Sequence, residues 1–243
     1  ELPGPWTLGN RGIQLGLGVD GISAPMVLLT GIVMFTGVLI SWKIVDRVKE
    51  FFILYFLLLA GVFGVFVALD LFFLFFFYEL AVVPMYLLIG VWGSNSDFKT
   101  FFRTKQYGAM KLMLYLVAGS VFIWIGLVAI FAEAGLGTFS ILSLQDVEFS
   151  RTFQMIFFPL LMVGFGILAG LWPFHTWSPD GHVAAPTAVS MVHAGVLMKL
   201  GAYGILRVGV FLMPEGADRW MPLLIGLGAV NVIYGAFAAM GQR

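Results

Sequence analysis

Residues 165–208 decide the fold of this chain, and they read FGILAGLWPFHTWSPDGHVAAPTAVSMVHAGVLMKLGAYGILRV. Two apolar runs flank a polar centre, and the second run contains His193 and Lys199. The polar centre holds Pro173, His175, Pro179, Asp180, His182 and Pro186. An ionisable residue inside an apolar span is expensive and marks a protein interior or a water path. The stretch therefore predicts a membrane segment that is broken near Pro173, with the functional centre of the chain around the break.

The composition of the 243 residues is that of a membrane protein. Hydrophobic residues make up 60% of the chain and charged residues 11%, whereas soluble domains carry roughly 25% charged residues. The absence of cysteine excludes disulfides, thiolate-bound zinc and iron–sulfur clusters. A formal net charge of zero provides no general basic field for nucleic acid. We expect a lipid bilayer, and no nucleic acid, as a partner of this chain.

Seven apolar segments reach the roughly 20 residues that a membrane helix needs. They run over residues 21–42, 51–69, 71–92, 109–132, 153–172, 187–211 and 221–240. The fold class predicted is an all-α polytopic membrane protein, with residues 1–19 as an extramembrane segment and 20–243 as one transmembrane domain. The chain lacks an initiator Met and stops just after an apolar run, so we expect a piece of a longer protein, truncated at its C-terminus.

Lysine and arginine are concentrated on the face that holds the loops after the first, third and fifth spans and the C-terminal end. These cations are Lys43, Arg47, Lys49, Lys99, Arg103, Lys105 and Arg243. The opposite face has fewer, among them Arg11 and Arg151. Cytoplasmic loops carry the excess of positive charge in membrane proteins. The pattern predicts that the first face is cytoplasmic and that residues 1–19 lie outside.

Glu79 lies near the middle of the third span, and Pro84 follows it five residues later. Proline cannot donate to the carbonyl of Leu80, so the helix is loosened one turn from the carboxylate. A carboxylate at this depth is a candidate for holding and releasing a proton. The alternative is a structural glutamate that is hydrogen-bonded to a neighbouring helix.

Two lysines and one histidine in the spans, Lys199, Lys111 and His193, are further candidates for proton translocation. Lys199 has only apolar neighbours and predicts an internal water path, unless it snorkels to the interface. His193 lies about 600° of helix away, so the two side chains do not share a face and need waters or a third group to communicate. A satisfied core histidine is the alternative for His193, and snorkelling is the alternative for Lys111.

His175, Asp180 and His182 have the spacing HxxxxDxH, which could suggest a metal site. The three residues lie in a proline-rich turn and not on one helix face. A broken helix with polar backbone at membrane depth fits an ion path better than a metal site.

Four long motifs name a family. They are GVDGISAPMVLLT (18–30), ALDLFFLFFFYELAVVPMYLLIGVWG (68–93), WPFHTWSPDGHVAAPTAVS (172–190) and AGVLMKLGAYGILR (194–207). Over essentially the whole chain they closely resemble the antiporter-like M subunit of respiratory complex I. The resemblance implies that the seven spans are the family's helices three to nine and include a complete five-helix antiporter-like repeat.

The resemblance assigns roles residue by residue. Glu79 matches the family's essential glutamate and Lys199 its central lysine. The family usually has a lysine five residues before Pro173, where this chain has Leu168. Three outcomes stay open: Lys111 or Lys199 pairs with Glu79, His193 supplies a titratable group near the lost site, or this half-channel does not pump.

The function that the resemblance implies is a proton-translocating membrane-arm subunit of an NADH:quinone oxidoreductase, a translocase subunit without redox chemistry of its own. NADH, FMN, iron–sulfur clusters and quinone are expected in partner subunits, and other antiporter-like subunits are expected as neighbours. A subunit of a multisubunit Na⁺/H⁺ antiporter or a membrane-bound hydrogenase, and a non-pumping scaffold subunit, are the alternatives. The expected location is the cell (inner) membrane, with the mitochondrial inner or thylakoid membrane as alternatives.

Overall fold

The computed structural model describes residues 12–98 and 101–241. Its helices are α1 (Ser23–Ile40), α2 (Val48–Val67), α3 (Leu71–Trp92), α4 (Lys105–Ala134), α5 (Ile141–Leu144), α6 (Arg151–Ala169), α7 (Trp177–Ala184), α8 (Thr187–Val192), α9 (Met198–Gly204) and α10 (Pro214–Met240). Two short strands, β1 (Ser96–Phe98) and β2 (Phe101–Arg103), form an antiparallel hairpin. Apart from this hairpin the regular structure is helical, which confirms the all-α fold class.

Seven helical segments in the described ranges are long and apolar enough to cross a membrane. The sixth, Thr187–Val210, joins α8 and α9 through π-helical turns at His193–Leu197 and Ile205–Val210. The seventh span begins at Pro214 and not at residue 221, because proline at the first helical position is preorganised for the helix. The polytopic prediction is confirmed, and the helices extend past the apolar runs.

The predicted break near Pro173 is confirmed. Helix α6 ends at Ala169, and Gly170 adopts a left-handed backbone with a φ of 73° that favours glycine. Asn231 of α10 then fastens the turn: its Nδ2 donates to the Gly170 carbonyl (3.2 Å) and its Oδ1 accepts from the Trp172 N–H (2.8 Å). An amide from the last span therefore holds the interrupted backbone in place.

The helices that carry the candidate residues pack against one another in one bundle. Helix α2 lies against α3, α3 against α4, α4 against α6, and α6 against α9. At Gly61 of α2, an added Cβ would lie 2.8 Å from the backbone of α3, so the two helices meet at a glycine. Glu79 lies on α3 and Lys199 on α9, and the span that carries Lys199 also contacts α2 and α3 directly.

The loops divide between two ends of the bundle. Residues 44–47, the hairpin and the C-terminal end of α7 share one end, here called the basic end: the Trp92 indole donates to the Asp46 carbonyl (2.8 Å), and the Ser94 N–H donates to the Ala184 carbonyl (2.9 Å). Residues 12–18 lie at the other end, beside residues 68–70 and 138–140. The remaining N-terminal residues of the predicted segment 1–19, with Arg11, and the cations Lys99 and Arg243 lie outside the described residues.

Candidate functional site

Glu79 occupies the middle of α3, half-buried, and its Oε1 is buried without a hydrogen-bond partner in the described part of the chain. The hydroxyl of Ser120 on α4 faces the carboxyl group and also donates to the Val117 carbonyl (2.9 Å). None of the ion pairs found between described residues involves Glu79. Buried polar groups are nearly always hydrogen-bonded, so this carboxyl group requires a functional explanation.

Lys111 binds Asp180 and not Glu79. Its ammonium Nζ lies 2.8 Å from Asp180 Oδ2, and Arg103 from the hairpin forms a second ion pair with the same carboxylate. The Asp180 side chain is only 12% exposed. This geometry corrects the alternative in which Lys111 neutralises Glu79, and it shows that Lys111 does not snorkel freely: the lysine joins α4 to α7 at the basic end.

His193 is fully buried, and neither of its ring nitrogens has a hydrogen-bond partner among the residues described. Its ring stacks on two others: His182 is nearly parallel at 4.0 Å between centroids, and Trp177 lies at 5.1 Å. The Trp177 indole donates to the Ile167 carbonyl (3.0 Å), directly beside the buried Leu168 of α6. The Trp177 ring therefore connects the His193 imidazole to the α6 backbone beside Leu168, the position at which the resemblance expects a lysine.

The stack of His182 on His193 limits how many protons the pair can hold. Two unit charges 4.0 Å apart repel by about 4 kcal/mol at an effective dielectric constant of 20. His182 Nδ1 is 2.9 Å from the Ser190 hydroxyl, which orients its ring. The pair therefore accepts one proton far more easily than two.

A cavity of about 560 Å³ opens beside His182 at the basic end. Its lining combines the hairpin region with α4 and α7: Ser94, Ser96, Arg103, Thr104, Tyr107, Gly108, Pro179, Asp180, His182, Val183 and Ala184. Behind His182 lies the buried His193. The His182 ring therefore lies between this cavity and the buried His193 ring.

Lys199 differs from its expected surroundings. We expected an internal position, but among the described helices the side chain is exposed, and its ammonium donates to the Ala194 carbonyl of the same span. Exposure of Lys199 and burial of His193 confirm that the two residues lie on different faces.

The side chains considered for a metal site have other partners. Asp180 is held by cations, His182 by Ser190, and the His175 ring meets Tyr234 edge-on at 4.9 Å. In the part of the chain that the structure describes, no three His, Cys, Asp or Glu residues could share a metal ion.

Sequence reasoning missed the stack of His182 on His193 and the clamp by Asn231. His182 was weighed only as a metal ligand, because it belongs to a proline-rich turn and His193 to the following span. The fold-back at Pro186 brings the two rings together, and no helical periodicity connects them. For Asn231, the signal was an isolated amide in an apolar span, which is expensive there.

Comparison with known proteins agrees with the resemblance. The family model described as "NADH:quinone oxidoreductase/Mrp antiporter, TM" matches residues 68–243. NAD(P)H-quinone oxidoreductase chain 4 3 of Picosynechococcus sp. is 39% identical over 97% of this chain, which covers 42% of that relative. The corresponding chain 4 of Gloeobacter violaceus is 37% identical over 96% of this chain and 43% of its own length. The chain thus spans about two fifths of the length of these relatives.

Solved structures share the fold. Respiratory complex I from Thermus thermophilus with bound NADH contains a chain with a TM-score of 0.86 and 25% identity, covering 97% of this chain and 48% of the other. An archaeal membrane-bound sulfane sulfur reductase contains one with a TM-score of 0.84 and 23% identity, covering 99% and 48%. With the family model matching residues 68–243, the chain belongs to the NADH:quinone oxidoreductase/Mrp antiporter transmembrane family.

Proposed function

We propose that this chain is a proton-translocating part of the membrane arm of an NAD(P)H:quinone oxidoreductase, coupling quinone reduction in partner subunits to proton movement. The observation that carries the proposal is Glu79: a carboxyl group in the middle of a membrane helix, with one oxygen buried and unpartnered in the described structure. Because an ionisable group inside a membrane span costs free energy, such a group marks a proton path by default. The names of the cyanobacterial relatives support the choice of complex.

The candidate residues take distinct roles in this proposal. Glu79 holds and releases a proton, with the Ser120 hydroxyl facing it. Lys199 is the ammonium group of the sixth span, and His193 provides a buried imidazole that stacks on Trp177, whose indole donates to the Ile167 carbonyl beside Leu168. Lys111 positions Asp180 at the cavity and does not neutralise Glu79. The basic end faces the cytoplasm, where positively charged loops collect.

No redox group is assigned to this chain. Electron transfer belongs to partner subunits that hold NADH, FMN, iron–sulfur clusters and quinone, and neighbouring antiporter-like subunits complete the membrane arm. The cell inner membrane or, given the cyanobacterial relatives, the thylakoid membrane is the proposed location.

One observation favours a second candidate, a scaffold subunit that does not pump. Leu168 is 1% exposed and packed in α6, so no charge can form at that position. Under this reading the pumping would reside in the other subunits of the complex, and Glu79 would serve only the packing of α3 on α4.

Replacement of Glu79 by Gln in the intact complex separates the two candidates. Gln keeps the size of the side chain and removes its proton. We expect quinone reduction in proteoliposomes to continue with fewer protons moved per electron. The matched control is Glu148→Gln, the same change at an exposed loop position. An unchanged proton-to-electron ratio in Glu79→Gln would contradict the pumping role and favour the scaffold.

A further inference from the structure

We propose that Asn231 is a positioning residue for transport, because its side-chain amide makes the position of the break between α6 and α7 depend on α10. This inference rests on the proposed function and assigns a part in it to the seventh span. Two hydrogen bonds, here called the clamp, carry it: Asn231 Nδ2 donates to the Gly170 carbonyl (3.2 Å), and the Trp172 N–H donates to Asn231 Oδ1 (2.8 Å).

The clamp completes hydrogen bonding that the break leaves open. The left-handed turn at Gly170 ends α6, so the Gly170 carbonyl and the Trp172 N–H have no place in a helix. Among the described residues, Asn231 is the partner found for both groups. Asn231 lies in the middle of the apolar run 221–240, and backbone groups at membrane depth have to find their partners within the protein. Loss of the amide therefore releases the turn, since water does not take its place.

Helix α10 runs beside α6 in the same direction and is attached at both ends of it. At the start of the two helices, Gln154 Oε1 accepts from the N–H groups of Glu215 (2.9 Å) and Gly216 (3.1 Å). At the end of α6, the clamp joins Asn231 to Gly170. Gln154 and Glu215 are 61 residues apart, as are Gly170 and Asn231, so the helices advance in step along the whole of α6. A shift of α10 along α6 therefore reaches the break directly.

Near the break, α10 is held by directional contacts more than by apolar burial. Within this helix only Gly216 and Ala217 are buried, and residues 232–240 are exposed in the part of the chain that the structure describes. One turn after Asn231, Tyr234 meets the His175 ring of the break edge-on at 4.9 Å. Apolar burial has no preferred direction, whereas hydrogen bonds do. The clamp therefore fixes where the turn lies relative to α10.

The segments on both sides of the turn contact the spans of the proposed proton path. Directly before the turn, an added Cβ at Gly201 would lie 2.5 Å from the Ala169 nitrogen, so the sixth span meets the α6 backbone there. After the turn, Trp177 begins α7 and stacks on the buried His193 ring. Close-packed interiors transmit a displacement. Moving the turn at Gly170 therefore moves the neighbours of both segments.

The test uses the intact complex in proteoliposomes, with proton uptake and quinone reduction measured together. Asn231→Leu removes both bonds of the clamp at similar side-chain size. We expect quinone reduction to continue with a lower proton-to-electron ratio. The decrease should be smaller than in Glu79→Gln, because the proton-carrying groups remain. The matched control is Ile233→Leu, an apolar change at an exposed position on the other side of α10, and it should keep the wild-type ratio.

The pH profile of Asn231→Asp separates positioning from packing. A protonated carboxyl group has a donor and an acceptor, as the amide has, whereas a carboxylate only accepts. Relative to the wild type at the same pH, the ratio of this variant should rise as the pH falls from about 8 to about 6. Asn231→Leu retains His175, the titratable side chain within the break at 170–176, and should show no such recovery.

Hydrogen–deuterium exchange in the same proteoliposomes reports on the turn itself. The Trp172 N–H should exchange faster in Asn231→Leu than in the wild type, because its partner is gone. Unchanged exchange of the segment 170–177 would overturn the proposal.

The outcomes separate the clamp from the proposed function. A wild-type proton-to-electron ratio in Asn231→Leu overturns the positioning role, while a lowered ratio in Glu79→Gln leaves the pumping role standing. Wild-type ratios in both overturn both. Equal losses in Asn231→Leu and Asn231→Asp at every pH also overturn the positioning role, because a packing defect would then explain them. If Asn231→Leu fails to assemble, Asn231→Asp decides, and a ratio that stays below the wild type in acid overturns the proposal.

Discussion

The imidazole of His193 lies 4.0 Å from that of His182, with the two ring planes only 16° apart, although the residues belong to different helices. One ring borders the cavity at the basic end, and the other is fully buried. The Trp177 ring also stacks on His193, and its indole donates to the Ile167 carbonyl of α6, next to Leu168 in sequence. The contact thus connects the loops to the position where the resemblance expects a lysine and this chain has none.

Replacing Asp180 by Asn should destabilise the basic end. The substitution leaves Lys111 and Arg103 without their shared carboxylate in a site where the lysine is 19% exposed. Charged hydrogen bonds of this kind contribute roughly 1.5–3 kcal/mol, so we expect a loss of about 2 kcal/mol. The midpoint of thermal unfolding of the detergent-solubilised protein measures it.

The control for this prediction is Glu50→Gln, which removes the exposed partner of Arg47. Exposed ion pairs contribute about 0.5 kcal/mol or less. Equal losses in the two variants would show that the Asp180 ion pairs are no stronger than an exposed pair.

Replacing Gly61 by Ala should push α2 away from α3. An added Cβ would lie 2.8 Å from both the Phe77 carbonyl oxygen and the Ala81 nitrogen, and backbone atoms cannot move aside as a flexible side chain can. Overpacking typically costs about 1–3 kcal/mol, and we expect a loss in this range together with a reduced proton-to-electron ratio, because Glu79 moves with α3.

The matched control is Gly31→Ala in α1, where an added Cβ meets no atom within 4 Å. Since alanine is the better helix former, this variant should be neutral or slightly stabilised in thermal unfolding. The packing argument would fail if the two alanine variants lost the same stability.

Local signals in the sequence were sufficient for the spans and the break. The third span was predicted at 71–92 and is Leu71–Trp92, because Asp70 begins the helix and Gly93 follows its end. The break near Pro173 also follows from nearby glycine and proline. These features depend on the length of apolar runs and on backbone preferences within a few residues.

Contacts between distant segments could not be predicted in the same way. Lys111 meets Asp180 and Asn231 meets Gly170 only after α4, α7 and α10 pack around the break. The exposure of Lys199 likewise depends on which helices cover its face, whereas its apolar neighbours in sequence suggested an interior position. Periodicity gives the face on which a residue lies but not what packs against that face.

Two substitutions of Asp70 separate the contribution of its helix cap to stability from the contribution of its charge. Its carboxylate accepts the N–H groups of Phe72 and Phe73 at the start of α3, and that of Gln14 from the N-terminal segment. Asp70→Ala should cost about 1–2 kcal/mol, the usual loss for a helix cap. Asp70→Asn keeps an acceptor oxygen and should lose much less in thermal unfolding at pH 7.

The pH dependence of Asp70→Asn follows from burial. Desolvation raises the pKa of Asp70, although the three N–H groups act in the opposite direction. A raised folded-state pKa gives stability that is present at low pH and is lost as the pH rises through that pKa. The stability of the asparagine variant relative to the wild type should therefore increase as the pH rises above about 4. A deficit of Asp70→Asn relative to the wild type that grows with rising pH would contradict the assigned sign.

Asp20 should show the opposite pH dependence at the same end of the bundle. The N–H of Ser23 is the main cause that lowers the pKa of Asp20 below its usual 3.8; burial opposes it, and the Arg207 guanidinium lowers it further. A lowered folded-state pKa gives stability that is present at neutral pH and is lost as the pH falls through that pKa. Asp20→Asn should therefore lower the unfolding temperature at pH 7, since it leaves the nearly buried Arg207 without its carboxylate partner.

The difference between Asp20→Asn and the wild type should close below about pH 4, where the wild-type carboxylate also becomes protonated. Asp46→Asn is the matched control, because Asp46 is exposed in the loop after α1 and should change the unfolding temperature little at either pH. If the Asp20→Asn deficit persisted unchanged in acid, the ion pair with Arg207 would not be its cause. Opposite slopes for Asp20→Asn and Asp70→Asn in one titration would instead show that two carboxylates at one end of the bundle are controlled by different forces: hydrogen bonding from the Ser23 N–H with the charge of Arg207 at Asp20, and burial at Asp70.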